Sequence, residues 1–486
     1  MAPRFTGHPR GNSRERSIPP FPRTGAGSPG TRSGRRWLRA AAAALAACAV
    51  GCSGPGRDAD RPHVVLIIID TLRGDHLGCA GLPDGVSPEI DALARGGLYF
   101  GRTVAPATWT RPSVGSMLTS MSPRALGLYR EVAEALPDHV LTMAELFREH
   151  GYRTLGVNAN PNLNAYYNFQ QGFDTYLDSR FVFPFMRAEG ADESLPTVPA
   201  RSARELFDEV ILQLDEPAPA DRGEDSPWFV MVNLLDVHEH NNPASTLLRP
   251  EFSGLFPEAR NGEYVRAVRQ SSWDIGRFLR ALRDRAGWDN AVYVVTSDHG
   301  EGLGDHPGVE KSQGHGVVLY ASNAIVPLVV AATPPRWEPR VSDRLVGLID
   351  LLPTVLDAAG IPAPEQAAGR SLLRGDGDAE YVTETQYRGT EKIGLYGEEW
   401  ELFRHAGEMQ EGLAPVELQP AWHRENGERT DRSAAHEDVA AEFKKRLGDW
   451  VRANPPRKPT APTQDIDAEL AEQLRAVGYL GETGGS

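Results

Sequence analysis

Four short stretches of this 486-residue chain concentrate groups that bind cations or attack electrophiles. Asp70 directly follows the apolar run VVLIII at residues 64–69. Taken alone, such an aspartate caps a turn as readily as it binds a metal. Thr110 lies in TWTRPSV, where Pro112 fits the first turn of a helix, so the hydroxyl falls near that helix's positive end. Taken alone, it reads as a helix cap; beside a bound anion, the same position favours an alkoxide. Asp236, His238 and His240 crowd the end of another apolar run. One helical turn puts Asp236 and His240 on one face, whereas an extended segment offers His238 instead. Asp298 and His299 end a further run and lead into glycines, and His315 stands between Gly314 and Gly316. Glycine there allows a close approach to an anion.

Together these groups can do more than each alone. Asp70, Thr110, Asp298 and His299 can form one metal site, with Thr110 both ligand and nucleophile. Asp236, His240 or His238, and His315 can form a second metal site or a substrate clamp. A carboxylate, carboxylate, imidazole and hydroxyl set suits Zn, Mn or Ca, as one ion or two. A metal lowers the pKa of a coordinated hydroxyl and neutralises a phosphoryl or sulfuryl group. This is the equipment for in-line displacement at a tetrahedral anion.

The elements that must position these residues alternate. Apolar runs at 64–69, 154–157, 228–235, 291–296 and 325–331 read as strands covered on both faces. Helical patterns at 88–96, 141–150, 202–214, 264–283 and 346–358 separate them. The alternation predicts an α/β fold with a mostly parallel central sheet flanked by helices. All four chemical stretches then fall near the C-terminal ends of strands, where open α/β sheets bind ligands. Residues 176–200 and 215–227 read as loops. A smaller C-terminal subdomain is expected over 375–486, with a Pro-rich linker at 455–466 and a final helix at 467–477. The catalytic unit is expected over 58–374.

Composition narrows the class. The net charge is −15, and only three cysteines are present, which excludes a disulfide scaffold. The acidic balance argues against a nucleic-acid partner. Residues 1–51 depart from it, with nine Arg against one acid. Residues 1–57 read as a leader and tether. The apolar stretch 40–51 is too short to span a bilayer and has the length of a signal-peptide core. It ends in a pattern similar to bacterial lipoprotein signals. Cys48 follows the closer match and Cys52 the longer apolar stretch; Cys52 is favoured for lipidation. The expectation is export to a bacterial periplasm or cell surface, with membrane attachment through a lipid.

The motifs also carry a resemblance. IIDTLRGDHLG (68–78), SPEIDALA (87–94), APATWTRPSVGSMLTS (105–120), LLDVH (234–238), TSDHGEGLGDH (296–306), GHGVVLY (314–320), VPLVV (326–330) and GLIDLLPTVL (347–356) occur in this order. Together with LRAVGYL (474–480), they resemble the sulfatase branch of the alkaline phosphatase superfamily. The resemblance implies an alkaline-phosphatase-like sheet with a metal at its C-terminal edge. It implies Asp70, Asp298 and His299 as ligands, Thr110 as nucleophile, and His315 as a contact to substrate or a second metal. Asp236 and His240 resemble the D-x-x-x-H pair of two-zinc members.

Two departures qualify it. Thr110 stands where sulfatases carry the Cys or Ser converted to formylglycine, so no formylglycine is expected, and Val114 replaces the supporting arginine. Thr71 stands where many members have a second aspartate. A threonine nucleophile is typical of phosphodiesterases, phosphonate hydrolases and phosphoethanolamine transferases of the superfamily. The expected activity is therefore metal-dependent hydrolysis of a sulfate or phosphate ester. The expected partner is an anionic ester on a glycan, lipid headgroup or small molecule. The alternatives are a phosphoethanolamine-type transferase and a non-catalytic lipoprotein that binds anionic glycans.

Overall fold

The computed structural model of the chain describes residues 61–461, apart from 130–133, 180–199, 243–246, 307–313, 376–379, 387–390, 407–412 and 422–430. The leader with Cys48 and Cys52, and the helix expected at 467–477, lie outside the described residues. No helix among the described residues is long and apolar enough to cross a membrane.

The large sheet has eight strands: β1 (His63–Ile69), β2 (Leu98–Val104), β3 (Arg153–Asn158), β4 (Thr175–Leu177), β5 (Trp228–Leu234), β6 (Ala291–Thr296), β7 (Ile325–Thr333) and β8 (Arg340–Gly347). Their spatial order is β4-β3-β5-β1-β6-β7-β2-β8. Only β7 runs against its neighbours, β6 and β2. The other pairings are parallel.

The VVLIII run shows why β1 lies at the centre. Val65, Ile67 and Ile69 face one core, and Val64, Leu66 and Ile68 face the other. A strand with two apolar faces is stable only between two layers of helices. The first layer contains α1 (Pro88–Gly96); the second contains α2 (Thr110–Thr119) and α3 (Met143–Glu149). The first layer is completed by α4 (Ala203–Gln213) and α5 (Gly262–Arg283), the second by α6 (Leu351–Ala358).

The five expected strands and the first four expected helices all form, within a few residues of the predicted ends. The stretch 346–358 differs. Val346 still belongs to β8, where it pairs with Thr103 of β2. The Asp350 carboxylate then accepts the Gly347 N–H at 3.1 Å, and the helix begins only at Leu351. The expected loop at 176–200 overlaps the short edge strand β4. β2 and β8 carry Gly or charged residues within their runs, and this broke the apolar pattern.

A second sheet, antiparallel, contains β9 (Tyr381–Thr385), β10 (Glu391–Tyr396), β11 (Trp400–Ala406) and β12 (Val416–Pro420) in the order β12-β11-β10-β9. It forms the smaller C-terminal subdomain. The helix α7 (Glu437–Ala453) covers its outer face through Phe443 and Leu447. Its inner face packs Tyr381, Tyr396 and Phe403 against the segment 317–320 of the large domain. A buried ion pair, Arg124 to Glu384 at 2.6 Å, ties the two together.

Candidate active site

The C-terminal ends of β1, β2, β3 and β6 meet in one place. Asp70 follows β1, Asp298 and His299 follow β6, Thr110 opens α2 after β2, and Asn160 follows β3. All five are buried. One ligand atom each from Asp70, Asp298 and His299 lies within 4.8 Å of the other two.

Local hydrogen bonds fix each side chain. Asn160 donates to Asp70 Oδ2 at 2.6 Å, while Asp70 Oδ1 is buried without a hydrogen-bond partner. Asp298 Oδ1 accepts the backbone N–H of His299 at 2.9 Å and of Thr71 at 3.3 Å; Oδ2 has no such partner. Thr71 adopts a left-handed backbone, φ 62°, which turns its N–H toward Asp298. That conformation is strained for a β-branched residue. His299 Nδ1 is 2.9 Å from the Gly300 carbonyl, which makes Nδ1 the protonated nitrogen and leaves the Nε2 lone pair facing the carboxylates. Nε2 lies 3.3 Å from Asp298 Oδ2 and 3.7 Å from Asp70 Oδ1. A side chain at Gly300 would place its Cβ 2.1 Å from the Ser322 carbonyl oxygen, so only glycine fits after the ligand pair.

The electrostatics point the same way. Burial, and then the charge of Asp298, hold Asp70 well above the usual carboxylate range. Burial pushes Asp298 up to about 6. Burial, and then the neighbouring His315, hold His299 well below the usual histidine range, so it is neutral. Two carboxylates with orphaned oxygens, facing a neutral imidazole lone pair, form a set of donors that a cation would satisfy. The donor set fits a divalent ion of the Zn, Mn or Ca class.

Thr110 Oγ1 lies at the rim of this set, 3.4 Å from His299 Nε2 and 3.2 Å from Asn160 Nδ2. It does not cap α2: Trp109 holds the cap position and makes no side-chain cap bond. The simple helix-cap reading of Thr110 therefore fails. Arg111, also buried, lies over the Tyr167 ring at 3.5 Å and reaches Asn162 Oδ1 at 3.1 Å.

The second group of expected residues divides. His315 lies 4.6 Å from His299 and 5.1 Å from His238, ring to ring. Its Nδ1 is 3.2 Å from Glu301 Oε2, and His238 Nδ1 is 2.9 Å from Glu239 Oε1. Burial pushes Glu301 up, but His315, His238 and His240 outweigh it and hold the carboxyl below its usual range. Asp236 is engaged elsewhere. Its oxygens accept the Ala203 N–H at the start of α4, at 2.8 Å, and Gln270 Nε2, at 3.0 Å. His240 Nδ1 is 3.0 Å from the Val237 carbonyl, and its ring meets Tyr264 edge-on. The structure thus brings His238 and His315 to the centre and turns Asp236 into the support of a helix start.

Three residues were not singled out from sequence. Asn160 lies in NANPNLN (158–164), and this asparagine-rich run at a strand end was the available signal. Glu301 and Arg73 fall within quoted motifs but had no assigned role. Arg73 donates to Asp75 at 2.7 Å, to Asp305 at 2.5 Å and to the Glu301 carbonyl at 3.1 Å. It straps the loop after β1 to the loop after β6.

Known proteins resemble this chain in sequence and in fold. A family model described as Sulfatase matches residues 62–361. Human arylsulfatase A is 26% identical over 339 residues, covering 62% of this chain and 65% of that protein. The chain therefore spans a little under two thirds of that relative's length. A solved structure of a 2-O GAG sulfatase superposes with a TM-score of 0.62 at 19% identity, covering 86% of this chain and 96% of the other. The phosphonate monoester hydrolase of Silicibacter pomeroyi superposes with a TM-score of 0.60 at 20% identity, covering 82% and 96%. At such identities the two structures show a shared fold.

Proposed function

This chain belongs to the sulfatase family, and from that premise we propose that it hydrolyses sulfate or phosphate esters with Thr110 as nucleophile. The observation that carries the reading is the position of Thr110 Oγ1, uncapped at the start of α2 and 3.4 Å from His299 Nε2. The family is enzymatic, but the usual aldehyde nucleophile cannot form here. A threonine hydroxyl leaves direct displacement as the available chemistry. The shared fold with a phosphonate monoester hydrolase supports phosphorus esters as substrates beside sulfate esters.

In this reading Asp70, Asp298 and His299 would hold a divalent cation. Such a cation would supply positive charge to neutralise the tetrahedral anion and to lower the pKa of the Thr110 hydroxyl. Thr110 reacts as the alkoxide, its proton having passed to solvent. Its Oγ forms a bond to sulfur or phosphorus while the ester bond opposite breaks. The departing oxygen takes a proton from His315, which Glu301 orients. Water then attacks the threonine ester, His315 takes the water's proton, and Thr110 Oγ leaves with sulfate or phosphate released. Asn160 keeps Asp70 and Thr110 in register throughout.

The substrate class proposed is an anionic ester on a glycan, lipid headgroup or small molecule. Attachment to a membrane through Cys52 or Cys48, on the exported side, is supported by the basic leader and its short apolar stretch.

The test is turnover of matched aryl sulfate, phosphate monoester and phosphate diester substrates by the purified chain with added Zn, Mn or Ca. Turnover lost in Thr110→Ala supports the reading. No turnover of any ester, and no metal retained on purification, would sink it and favour a binding lipoprotein.

A further inference from the structure

The inner face of the small sheet carries a charge that the reaction above does not use. Lys392, near the start of β10, is fully buried. Ile393 and Leu395, the alternate residues of the strand, join the core under α7. Lys392 therefore faces the large domain. In register it stands between Thr385 of β9 and His405 of β11. Among the described residues no acceptor reaches its Nζ. Burial holds Lys392 down at about 8. Thr383, on the same face of β9, has a buried hydroxyl that also lacks a hydrogen-bond partner.

An ammonium and a hydroxyl without acceptors, on neighbouring strands of one face, share one complementary ligand, an oxyanion. Hydrogen bonds join β9, the strand paired with β10, to the segments that lead to the reacting groups. The Thr385 hydroxyl donates to the Gly316 carbonyl at 3.4 Å, and the Gly316 N–H donates to the Thr108 carbonyl at 2.7 Å. The Glu384 N–H donates to the Pro106 carbonyl at 2.9 Å. Gly316 follows His315, and Thr108 shortly precedes Thr110. The strand that pairs with β10 is therefore joined to both segments that supply the chemistry.

We propose that Lys392 and Thr383 form an oxyanion subsite beside the candidate centre, which takes a second sulfate, phosphate or carboxylate group carried by the same substrate as the scissile ester. The proposal rests on reading the centre as an ester hydrolase. The lysine stem is long and flexible, so an anion entering beside His315 offers the acceptor that Nζ lacks. The subsite thereby selects esters that bear a further anion over those that do not.

The experiment measures binding of glucosamine-2-N,6-O-disulfate and glucosamine-6-O-sulfate by calorimetry on the metal-supplemented full chain carrying Thr110→Ala, so that neither ligand is consumed. The disulfate is expected to bind about tenfold more tightly. Adding Lys392→Met should collapse that ratio to within about twofold, and Lys392→Arg should restore part of it. A ratio that survives Lys392→Met, or a chain with no preference for the disulfate, overturns the proposal. Melting with inorganic sulfate separates the other source of the same chemistry. Protection by sulfate that disappears with Lys392→Met, without a disulfate preference, assigns a free-ion site and overturns the substrate assignment. Because binding is read without turnover, an inactive chain that keeps the Lys392-dependent preference refutes the hydrolase reading and leaves the subsite standing.

Discussion

The Asn160 side-chain amide donates to Asp70 Oδ2 at 2.6 Å and stands 3.2 Å from Thr110 Oγ1. One residue at the end of β3 thus fixes the distance between a candidate ligand and the candidate nucleophile. Replacing it with Ala should lower kcat/KM by about 100-fold, as loss of a preorganised donor does in other active sites. Asn160→Asp should be worse, because it adds a third carboxylate beside two whose burial already penalises charge. Steady-state kinetics of the two variants on an aryl ester checks both; an order reversed between them would remove Asn160 from the site.

Thr110→Ala should reduce turnover by at least about 1000-fold while the melting temperature stays within a few degrees. The hydroxyl makes no cap bond, so its loss leaves α2 intact. Thr110→Ser should keep measurable activity. Rapid quench followed by mass spectrometry should find the transferred group on the peptide containing residue 110. Thr110→Ala as active as the parent would exclude Thr110 as nucleophile.

Metal-free protein should lose stability as pH rises. Asp70 and Asp298 bind protons more tightly folded than unfolded, with Asp298 at about 6 against an ordinary value of 3.8. For groups raised in the folded state, the native form holds the extra protons, and stability falls as pH climbs from about 4 through 6. A divalent ion removes this penalty. Added Zn, Mn or Ca should therefore raise the melting temperature more at pH 7 than at pH 5. Scanning calorimetry with and without chelator decides it; a pH-independent gap would argue against ion binding at these carboxylates.

Arg73 is nearly buried and pairs with both Asp75 and Asp305. Arg73→Met leaves those carboxylates facing each other without a cation, and should cost about 3–5 kcal/mol in urea unfolding. Arg73→Lys should recover only part, since a point charge cannot span both acids as the guanidinium fork does. A loss under about 1 kcal/mol would show that the two ligand loops hold together without the strap.

Much of the centre was legible in the sequence because it depends on local order. The VVLIII run has no alternative to a strand buried on both faces, so Asp70 had to emerge at its end. The same reasoning placed Asp298 and His299 after β6 and Thr110 at a helix start. Whether a side chain then turns into the mouth is not local. Asp236 obeys the same strand-end rule, yet its carboxylate is consumed by the start of α4 and by Gln270. Asn160, an uncharged residue with no chemistry of its own, became part of the site only because β3 lies two places from β1 in the sheet. The small sheet was legible as a subdomain but not as strands. Lys392, Glu401 and Glu417 interrupt its apolar pattern and are buried only because that face packs on the large domain. Sequence determined which elements form and which reactive residues end them, since those follow from burial along a single strand. Tertiary structure decided which of those residues share a centre, because hydrogen-bond partners and neighbouring charges come from distant parts of the chain.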